Sequence, residues 1–242
     1  MKSLDINYVR NLFPAFSSKA HKDMSFFDSA GGSYCNKFVI NRLHRFYVER
    51  KMQPYAPNKP SILGGEEMDL AYEKFAELLN IEKLNIFFGP STSQNTYVLS
   101  NAFREMKSRR KTIIVTNQDH EANSGVWRKL SNHGFKIIEW CVDKKTGLLD
   151  PDELKQIINE DVLLVAFPHC SNIIGYVNPT KEICKIIKSC GSFSCIDGVS
   201  YVPHGFPDLK KINCYIYLFS TYKTYGPHIG VMYLSESLNQ KL

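Results

Sequence analysis

The sequence predicts an α/β fold with a mostly parallel sheet that is covered by helices on both faces. From about residue 65 onward, the hydrophobic period keeps changing between the period of a strand and that of a helix. The strand-like segments are short and rich in β-branched and aromatic residues, and 43% of the 242 residues are hydrophobic. A chain of this length and composition can bury a sizeable core, and consecutive parallel strands are joined by right-handed crossovers.

Seven strands are predicted from this pattern, with amphipathic helices in most of the gaps. The strands lie near 84–88, 112–117, 135–141, 162–167, 193–196, 214–219 and 229–234. One helix has its own start signal, because the stretch DPDE at 150–153 supplies an N-cap, a proline at the first helical position and an acid in the first turn. This signal predicts a helix over 151–159.

The first sixty residues have a different pattern. They contain a predicted helix over 36–50 and a turn at Gly31-Gly32, and the stretch MQPYAPNKPSILGG at 52–65 is interpreted as a loop over the sheet edge. We therefore predict an N-terminal segment over 1–60 that packs on a large domain, and the large domain itself over 61–242.

Composition narrows the classes of function. No segment is long and apolar enough to span a bilayer, and MKSLDINYVR lacks the apolar centre of a signal peptide, so we expect a cytoplasmic protein without a membrane partner. The net charge of +6 includes one dense basic run, KSRRK at 107–111, which is interpreted as a solvated helix end and not as a nucleic-acid patch. None of the seven cysteines has the spacing of zinc ligands, which predicts reduced, buried thiols and no metal site.

Polar side chains follow five of the predicted strands, at the edge where an open parallel sheet binds its ligands. Each has an ordinary structural explanation, because hydroxyls cap helices, an aspartate often starts a turn, and most histidines and lysines have no special role. Their combination at five strand ends is harder to explain in that way. In chain order these residues are Ser91, Thr92, Ser93, His120, Ser171, Asn172, Asp197, Ser220, Tyr222 and Lys223.

The chemistry that suits this set is the binding of pyridoxal 5'-phosphate (PLP). A lysine forms a Schiff base with the aldehyde of this cofactor, a carboxylate keeps its ring nitrogen protonated, and an aromatic side chain stacks on the ring. The segment GPSTSQN at 89–95 offers a helix N-terminus with hydroxyl groups for the phosphate. The fingerprints GxGxxG and GxxxxGK[ST] do not occur, which argues against a dinucleotide enzyme and a P-loop enzyme.

Ordered motifs along nearly the whole chain resemble one family. The chain is similar to the class V, fold-type I PLP enzymes, and most closely to their cysteine desulfurase-like branch. The resemblance implies the large-domain fold of PLP-dependent transferases, a homodimer, and an amino acid as substrate, with L-cysteine as a candidate that would yield sulfur and alanine. The motifs are VRNLFPAF, FFDSAGG, GPSTSQNT, DHEANSGVW, HCSNIIGYVNP, CIDGVSYVPH and FSTYKTYGPHIGVMY.

The resemblance also implies a role for each candidate residue. Lys223 is expected to be the Schiff-base lysine and Asp197 the partner of the ring nitrogen, and His120 is expected to stack on the ring and to move a proton. Asn172 is expected to hydrogen-bond the phenolic oxygen of the cofactor. The residues expected around the phosphate are Ser91, Thr92, Ser220 and Tyr222.

Two departures from the family pattern bear on function. Desulfurases close to this pattern often carry a glutamine three residues after the aspartate, where this chain has Ser200, so one donor to the phenolic oxygen is expected to be lost. Family members continue beyond the GVMYL strand into a C-terminal small domain that supplies the substrate-carboxylate arginine and, in desulfurases, the persulfide cysteine. The 242-residue chain is therefore expected to be truncated, and none of its cysteines lies at that position.

The sequence leaves the reaction open. Desulfurases, aminotransferases, lyases and kynureninase-like hydrolases share the same cofactor cradle, so the cradle does not select one of them. A truncated family member without catalytic activity is the remaining alternative, and whether the chain is an active enzyme stays open at this point.

Overall fold

The computed structural model describes residues 4–21 and 23–242. Contacts divide the chain into two compact units, of which the first takes Met1–Lys74 and Thr221–His228 and the second takes Phe75–Ser220 and Ile229–Leu242. The predicted division at residue 60 stays a prediction. The helices are α1 Ile6–Arg10, α2 Lys37–Arg45, α3 Lys59–Leu79, α4 Thr92–Glu105, α5 Glu121–Arg128, α6 Pro151–Ile157, α7 Thr180–Ser189, α8 Leu209–Ile212 and α9 Glu236–Asn239.

The second unit contains one seven-stranded sheet. Its strands pair in the order β1-β7-β6-β5-β4-β2-β3. Strands β2 to β6 run parallel, and β7 lies antiparallel between β1 and β6. The predicted α/β fold with a mostly parallel sheet is thereby confirmed. The strands are β1 Ile86–Gly89, β2 Thr112–Thr116, β3 Lys136–Trp140, β4 Val162–Pro168, β5 Phe193–Asp197, β6 Ile216–Ser220 and β7 Gly230–Leu234.

The core of this unit lies between the sheet and helices α4 and α5. Alternate residues of the strands, such as Ile113 and Val115 on β2, form one buried cluster with Leu99 and Phe103 of α4 and with Trp127 of α5. The residues between them on the strands are also buried, because helices cover this sheet in the way that parallel sheets require. Because both faces of the sheet are buried, the sequences of its strands are nearly continuous runs of apolar residues.

Local capping decides where several helices begin and end. Helix α2 begins after its N-cap residue, Asn36, and is followed by a π-helical turn, Phe46–Arg50. The two together confirm the helix predicted over 36–50. The loop predicted over 52–65 is wrong in its second half, because α3 begins at Lys59. The side chain of Asn58 accepts a hydrogen bond from the amide of Ser61 and so caps this helix. Pro60 is tolerated in the first turn, because the backbone amides of that turn have no partner within the helix.

Predictions about membrane spans, cysteines and the basic run concern the surface and the thiols of the chain. No helix within residues 4–21 and 23–242 has the length and apolar character needed to cross a bilayer. All seven cysteines are free, and four of them are buried. In the basic run at 107–111, Arg110 donates from Nη1 to the carbonyl oxygens of Val162, Cys190 and Gly191, so this residue joins three segments at the amino ends of the strands.

Candidate active site

The N-terminus of α4 carries the predicted hydroxyl groups. Ser91 is its N-cap, with a side chain that accepts from the amide of Gln94 at 3.1 Å. Thr92 Oγ1 and Ser220 Oγ lie 2.6 Å apart, and both residues are buried. The first amides of a helix have no partner within the helix, so a 14-residue helix that begins among hydroxyl groups is suited to binding an anion.

Close packing of β7 fixes this cap against the sheet. A Cβ atom at Gly230 would lie 2.4 Å from the carbonyl carbon of Ser91 and 2.7 Å from the amide nitrogen of Thr92. Only glycine allows this approach, because both neighbouring atoms belong to the backbone. The start of α4, the end of β6 and the start of β7 are therefore held together.

His120 follows β2 and caps α5. Its Nδ1 accepts a hydrogen bond from the amide of Ala122 at 3.0 Å, so the proton of the neutral ring lies on Nε2. The side chain of His120 is exposed. The preceding residue, Asp119, accepts from the amide of His120 at 2.8 Å and from Asn123 Nδ2 at 2.6 Å. The position of the imidazole is thus set by hydrogen bonds at its own residue and at its neighbour.

Asp197 is the last residue of β5 and is only 6% exposed. Its Oδ1 accepts from the amide of Val199 at 2.8 Å, and its carbonyl oxygen accepts from the amide of His169 at 2.7 Å. The adjacent Gly198 donates its amide to the carbonyl of Leu218 on β6. These bonds hold the carboxyl group at the ends of three neighbouring strands.

Behind Asp197 lies a pair of buried side chains that the sequence did not single out. His169 Nδ1 and the hydroxyl of Tyr217 lie 2.7 Å apart, and the ring of His169 stacks on Tyr201 with a centroid distance of 3.5 Å. Burial lowers the pKa of His169 to about 4 and raises the pKa of Tyr217 well above its usual value, so both groups are neutral. The close approach of Tyr217 also requires Gly198, where a Cβ atom would lie 2.2 Å from the ring.

Asn172 lies in a tight turn after β4. Residues Cys170 and Val177 form an antiparallel bridge across this turn, and Ser171 Oγ accepts from the amides of Ile173 and Ile174. Across residues 4–21 and 23–242, no hydrogen-bond partner is found for the partly buried side chain of Asn172. Its amide is therefore available to a ligand.

The first unit contains the remaining two predicted residues. Lys223 ends the short helix Thr221–Lys223, and its Nζ lies 5.9 Å from the centre of the Tyr222 ring. Tyr222 stacks on His228 with a centroid distance of 5.0 Å, and its carbonyl oxygen accepts from both the amide and the hydroxyl of Ser33. These contacts tie the lysine loop to the segment around Gly32, a motif that the sequence had indicated separately.

Thus the predicted site residues fall into two groups. Thr92 and Ser220 are in direct contact beside Ser91, while Asp197, Asn172 and His120 stand at the ends of β5, β4 and β2 in the same unit. Tyr222 and Lys223 belong to the other unit. Sequence reasoning missed Asp119 and His169. Each is the second residue after a predicted strand, 112–117 and 162–167, so the rule that selected the other candidates could have found both.

The donor set of the second unit fits a phosphorylated cofactor with a cationic ring nitrogen. The hydroxyl-lined start of α4 suits a phosphate, the amide of Asn172 suits an oxygen substituent, and a buried carboxylate such as Asp197 is stabilised by a cation. These are the three polar features of PLP that a protein has to recognise.

Comparisons with known proteins agree on one family. Residues 25–242 match the model of the family described as "Aminotransferase class-V". An aminotransferase-like protein of Gibberella zeae is 33% identical over 247 residues, with 99% of this chain and 60% of the relative covered. A cysteine desulfurase of Serratia proteamaculans is 30% identical over 251 residues, again with 99% and 60% covered.

A solved structure supports the fold. The apo structure of a cysteine desulfurase from Thermococcus onnurineus superposes with a TM-score of 0.88 over the whole chain and 60% of that structure, at 21% identity. The chain spans 60% of the length of each of the two relatives named above.

Proposed function

Because the chain belongs to the class V aminotransferase family, whose members depend on PLP, we propose that it binds PLP and takes part in the conversion of an amino acid. Within the family we assign it to the cysteine desulfurase-like branch, with L-cysteine as the first substrate to test. The observation that carries the proposal is the contact between Thr92 Oγ1 and Ser220 Oγ at the start of α4, next to the backbone approach at Gly230.

Each candidate residue has a role in this proposal. The amides and hydroxyls of Ser91, Thr92 and Ser220 bind the phosphate, and Asn172 binds the phenolic oxygen. Asp197 holds a proton on the ring nitrogen, and the imidazole of His120 stacks on the ring and moves a proton. PLP, when bound, supplies an aldehyde that takes up the substrate amine and a ring that stabilises negative charge at Cα.

Lys223 is assigned two tasks. Its amine holds the aldehyde of the cofactor before the substrate arrives, and its Nζ then moves the proton of the substrate Cα. A lysine can do this only after it loses its own proton. Tyr222, which lies beside it, is assigned to the phosphate.

An absorbance spectrum with added PLP tests the proposal. The wild-type protein should gain the visible band of a lysine-bound cofactor, and Lys223→Ala should not. Lys210→Ala removes an exposed lysine on α8 and should behave like the wild type. If the wild type gains no band, or if Lys223→Ala keeps it, the proposal is wrong.

Addition of amino acids then separates the reactions. L-Cysteine should change the spectrum and, with a thiol present to reduce the released sulfur to sulfide, should yield alanine and sulfide if the protein is a desulfurase. A keto acid formed together with ammonia and sulfide would indicate a lyase, and a keto acid formed only when a second keto acid accepts the amino group would indicate an aminotransferase. A protein that binds PLP but changes no amino acid would support a non-catalytic role.

We also propose a homodimer in the cytoplasm. The first unit exposes apolar side chains of α2, namely Phe38, Ile40 and Leu43, which is typical of a surface that contacts another protein. Seven free cysteines fit a reducing compartment. Sedimentation equilibrium of the purified protein should give twice the monomer mass, and a monomer at all concentrations would contradict the dimer.

A further inference from the structure

Three arginines of the first unit gather at a single carboxylate oxygen. Arg42 and Arg45 lie on α2, and Arg50 ends the π-helical turn that follows it. In that order, one guanidinium nitrogen of each lies 3.4, 2.7 and 2.5 Å from Oε1 of Glu67, which is part of α3. We refer to these four residues as the arginine cluster.

The charges of the arginine cluster do not balance. Arginine keeps its positive charge in proteins, so three guanidinium groups and one carboxylate leave a net charge of +2. Two other acidic residues, Glu49 and Glu66, are neighbours of Arg50 and Glu67 in sequence. In the part of the chain that the structure describes, neither of them forms an ion pair with an arginine of the cluster. The excess charge therefore has no carboxylate partner there.

Most donors of the cluster are unused as well. Arg45 Nη2 donates to Glu67 Oε1 at 2.7 Å, whereas the side chains of Arg42 and Arg50 make no hydrogen bond to a described residue. The Nε atoms of Arg45 and Arg50 are buried and also lack a described partner. Like charges three residues apart on a helix, such as those of Arg42 and Arg45, repel each other. An anion with several oxygen atoms would relieve this repulsion and offer acceptors to the guanidinium groups.

The cluster is partly open to solvent. The side chains of Arg42 and Arg45 are 49% and 43% exposed, whereas those of Arg50 and Glu67 are each 17% exposed. A ligand can therefore reach two guanidinium groups from solvent. Arg50 adds its charge from the less hydrated side, where salt screens it less.

We propose that the arginine cluster binds a phosphate group as its dianion, either as inorganic phosphate or as a small phosphate monoester. The planar fork of a guanidinium group matches the oxygen atoms of phosphate, so arginine is common in phosphate sites. Two negative charges would neutralise the net charge of +2, whereas a carboxylate ligand would leave one positive charge.

Glu67 has two opposing effects in this proposal. It holds the three guanidinium groups together before the ligand arrives, and it then competes with the ligand for them, because both are anions. A cluster with a purely structural role would have no such competition. The start of α4, to which the phosphate of PLP is assigned, belongs to the second unit and takes no part in this site.

Chemical modification of arginine gives the first test. Phenylglyoxal is added to the full chain at about pH 8, where phosphate is a dianion, and mass spectrometry of peptides measures the rate at each arginine. Inorganic phosphate at about ten times its dissociation constant should slow the modification of Arg42 and Arg45 about tenfold, compared with chloride at the same ionic strength. Arg109, an exposed residue of the other unit, should react equally fast in both salts. Equal rates at Arg42 and Arg45 in the two salts would overturn the proposal.

Glycerol 3-phosphate then distinguishes the two forms of the ligand. Protection by this monoester as well as by inorganic phosphate would show that the cluster recognises the phosphate group. Protection by inorganic phosphate alone would restrict the site to the free ion, and protection by neither would overturn the proposal.

Two variants with opposite effects give the second test. Glu67→Gln removes the competing carboxylate and should tighten phosphate binding, read from the protection of Arg42, by about fivefold or more. Arg45→Gln should weaken it by about the same factor. Glu66→Gln is the matched control, since it removes the same charge from the next, exposed residue of α3 and should change the affinity by less than about twofold. An effect of Glu66→Gln as large as that of Glu67→Gln would indicate a general charge effect and contradict the proposal.

A further variant covers the case in which Glu67→Gln does not fold because its three cations repel one another, which circular dichroism would reveal. Arg42→Gln then replaces it, with Arg45 as the reporter, and should weaken phosphate binding about fivefold. An unchanged affinity would contradict the proposal. These measurements are made without PLP, so the failure of this site and the failure of the proposed function are distinguished.

Discussion

Replacement of Gly230 by alanine perturbs the proposed phosphate site through packing alone. Gly230 pairs with Gly89 on β1 and with Ser220 on β6. The new Cβ atom would lie 2.4, 2.5 and 2.7 Å from the carbonyl carbon and oxygen of Ser91 and the amide nitrogen of Thr92, whereas ordinary contacts begin at 3.4 Å. Backbone atoms have no rotamer to change, so the chain has to move by about 1 Å.

The expected cost has two parts. Overpacking of a core position costs about 1–3 kcal/mol. A movement of about 1 Å would also lengthen the 2.6 Å contact between Thr92 and Ser220 beyond hydrogen-bond range, which adds about 1 kcal/mol. We expect Gly230→Ala to lower the free energy of unfolding by about 3 kcal/mol and to weaken PLP binding.

Urea unfolding followed by circular dichroism measures the first effect, and the cofactor absorbance measures the second. Gly64→Ala is the control, because its Cβ atom would meet only the carbonyl oxygen of Arg50 at 3.5 Å. In the middle of α3 this alanine should stabilise the protein by about 0.5–1 kcal/mol. If Gly230→Ala is within about 0.5 kcal/mol of the wild type and binds PLP equally well, the packing argument is refuted.

Three further variants test other contacts. Tyr217→Phe leaves the buried Nδ1 of His169 without its partner and should cost about 1–3 kcal/mol in unfolding free energy, measured in urea. Because the pKa of His169 is lowered to about 4, its contribution is complete above pH 6.5 and is lost as pH falls to about 4, so the wild type should lose about 3 kcal/mol more than His169→Gln over this window. Equal losses would contradict that pKa. Arg110→Ala should cost about 2 kcal/mol in the same assay, since the carbonyl oxygens of Cys190 and Gly191 lose their bond to Arg110 and that of Val162 keeps only the hydroxyl of Ser192, whereas Arg109→Ala at an exposed position should change stability by less than about 0.5 kcal/mol.

The strands could be predicted because helices bury them on both faces. Each of the seven was placed to within two residues at either end, since a parallel strand needs apolar side chains on both sides. The start of α3 could not be placed in the same way. Prolines at 54, 57 and 60 suggest a loop, and only the cap formed by Asn58 shows that the third of them lies in the first turn of a helix.

The site was predicted only in part, because some of its contacts join distant segments. A rule that selects polar residues after strands found Asp197 and the hydroxyls of α4. It gave no indication that Tyr217, in the middle of an apolar strand, meets His169, which is 48 residues away in sequence. Nor does the hydrophobic period show that β7 runs antiparallel between β1 and β6, since a buried strand has the same pattern in either direction.

The position of β7 has a consequence for biosynthesis. Among the described strands, β1 pairs only with β7, so its hydrogen bonds wait until residue 230 has been made, 141 residues after Gly89. A ribosome that adds about 5–20 residues per second needs roughly 7–30 s for this stretch. During that time the nascent chain holds a strand without a neighbour and a helix start without Ser220. The end of the sheet that is proposed to bind the phosphate is therefore the last to be completed, and it is where a chaperone has the longest opportunity to act.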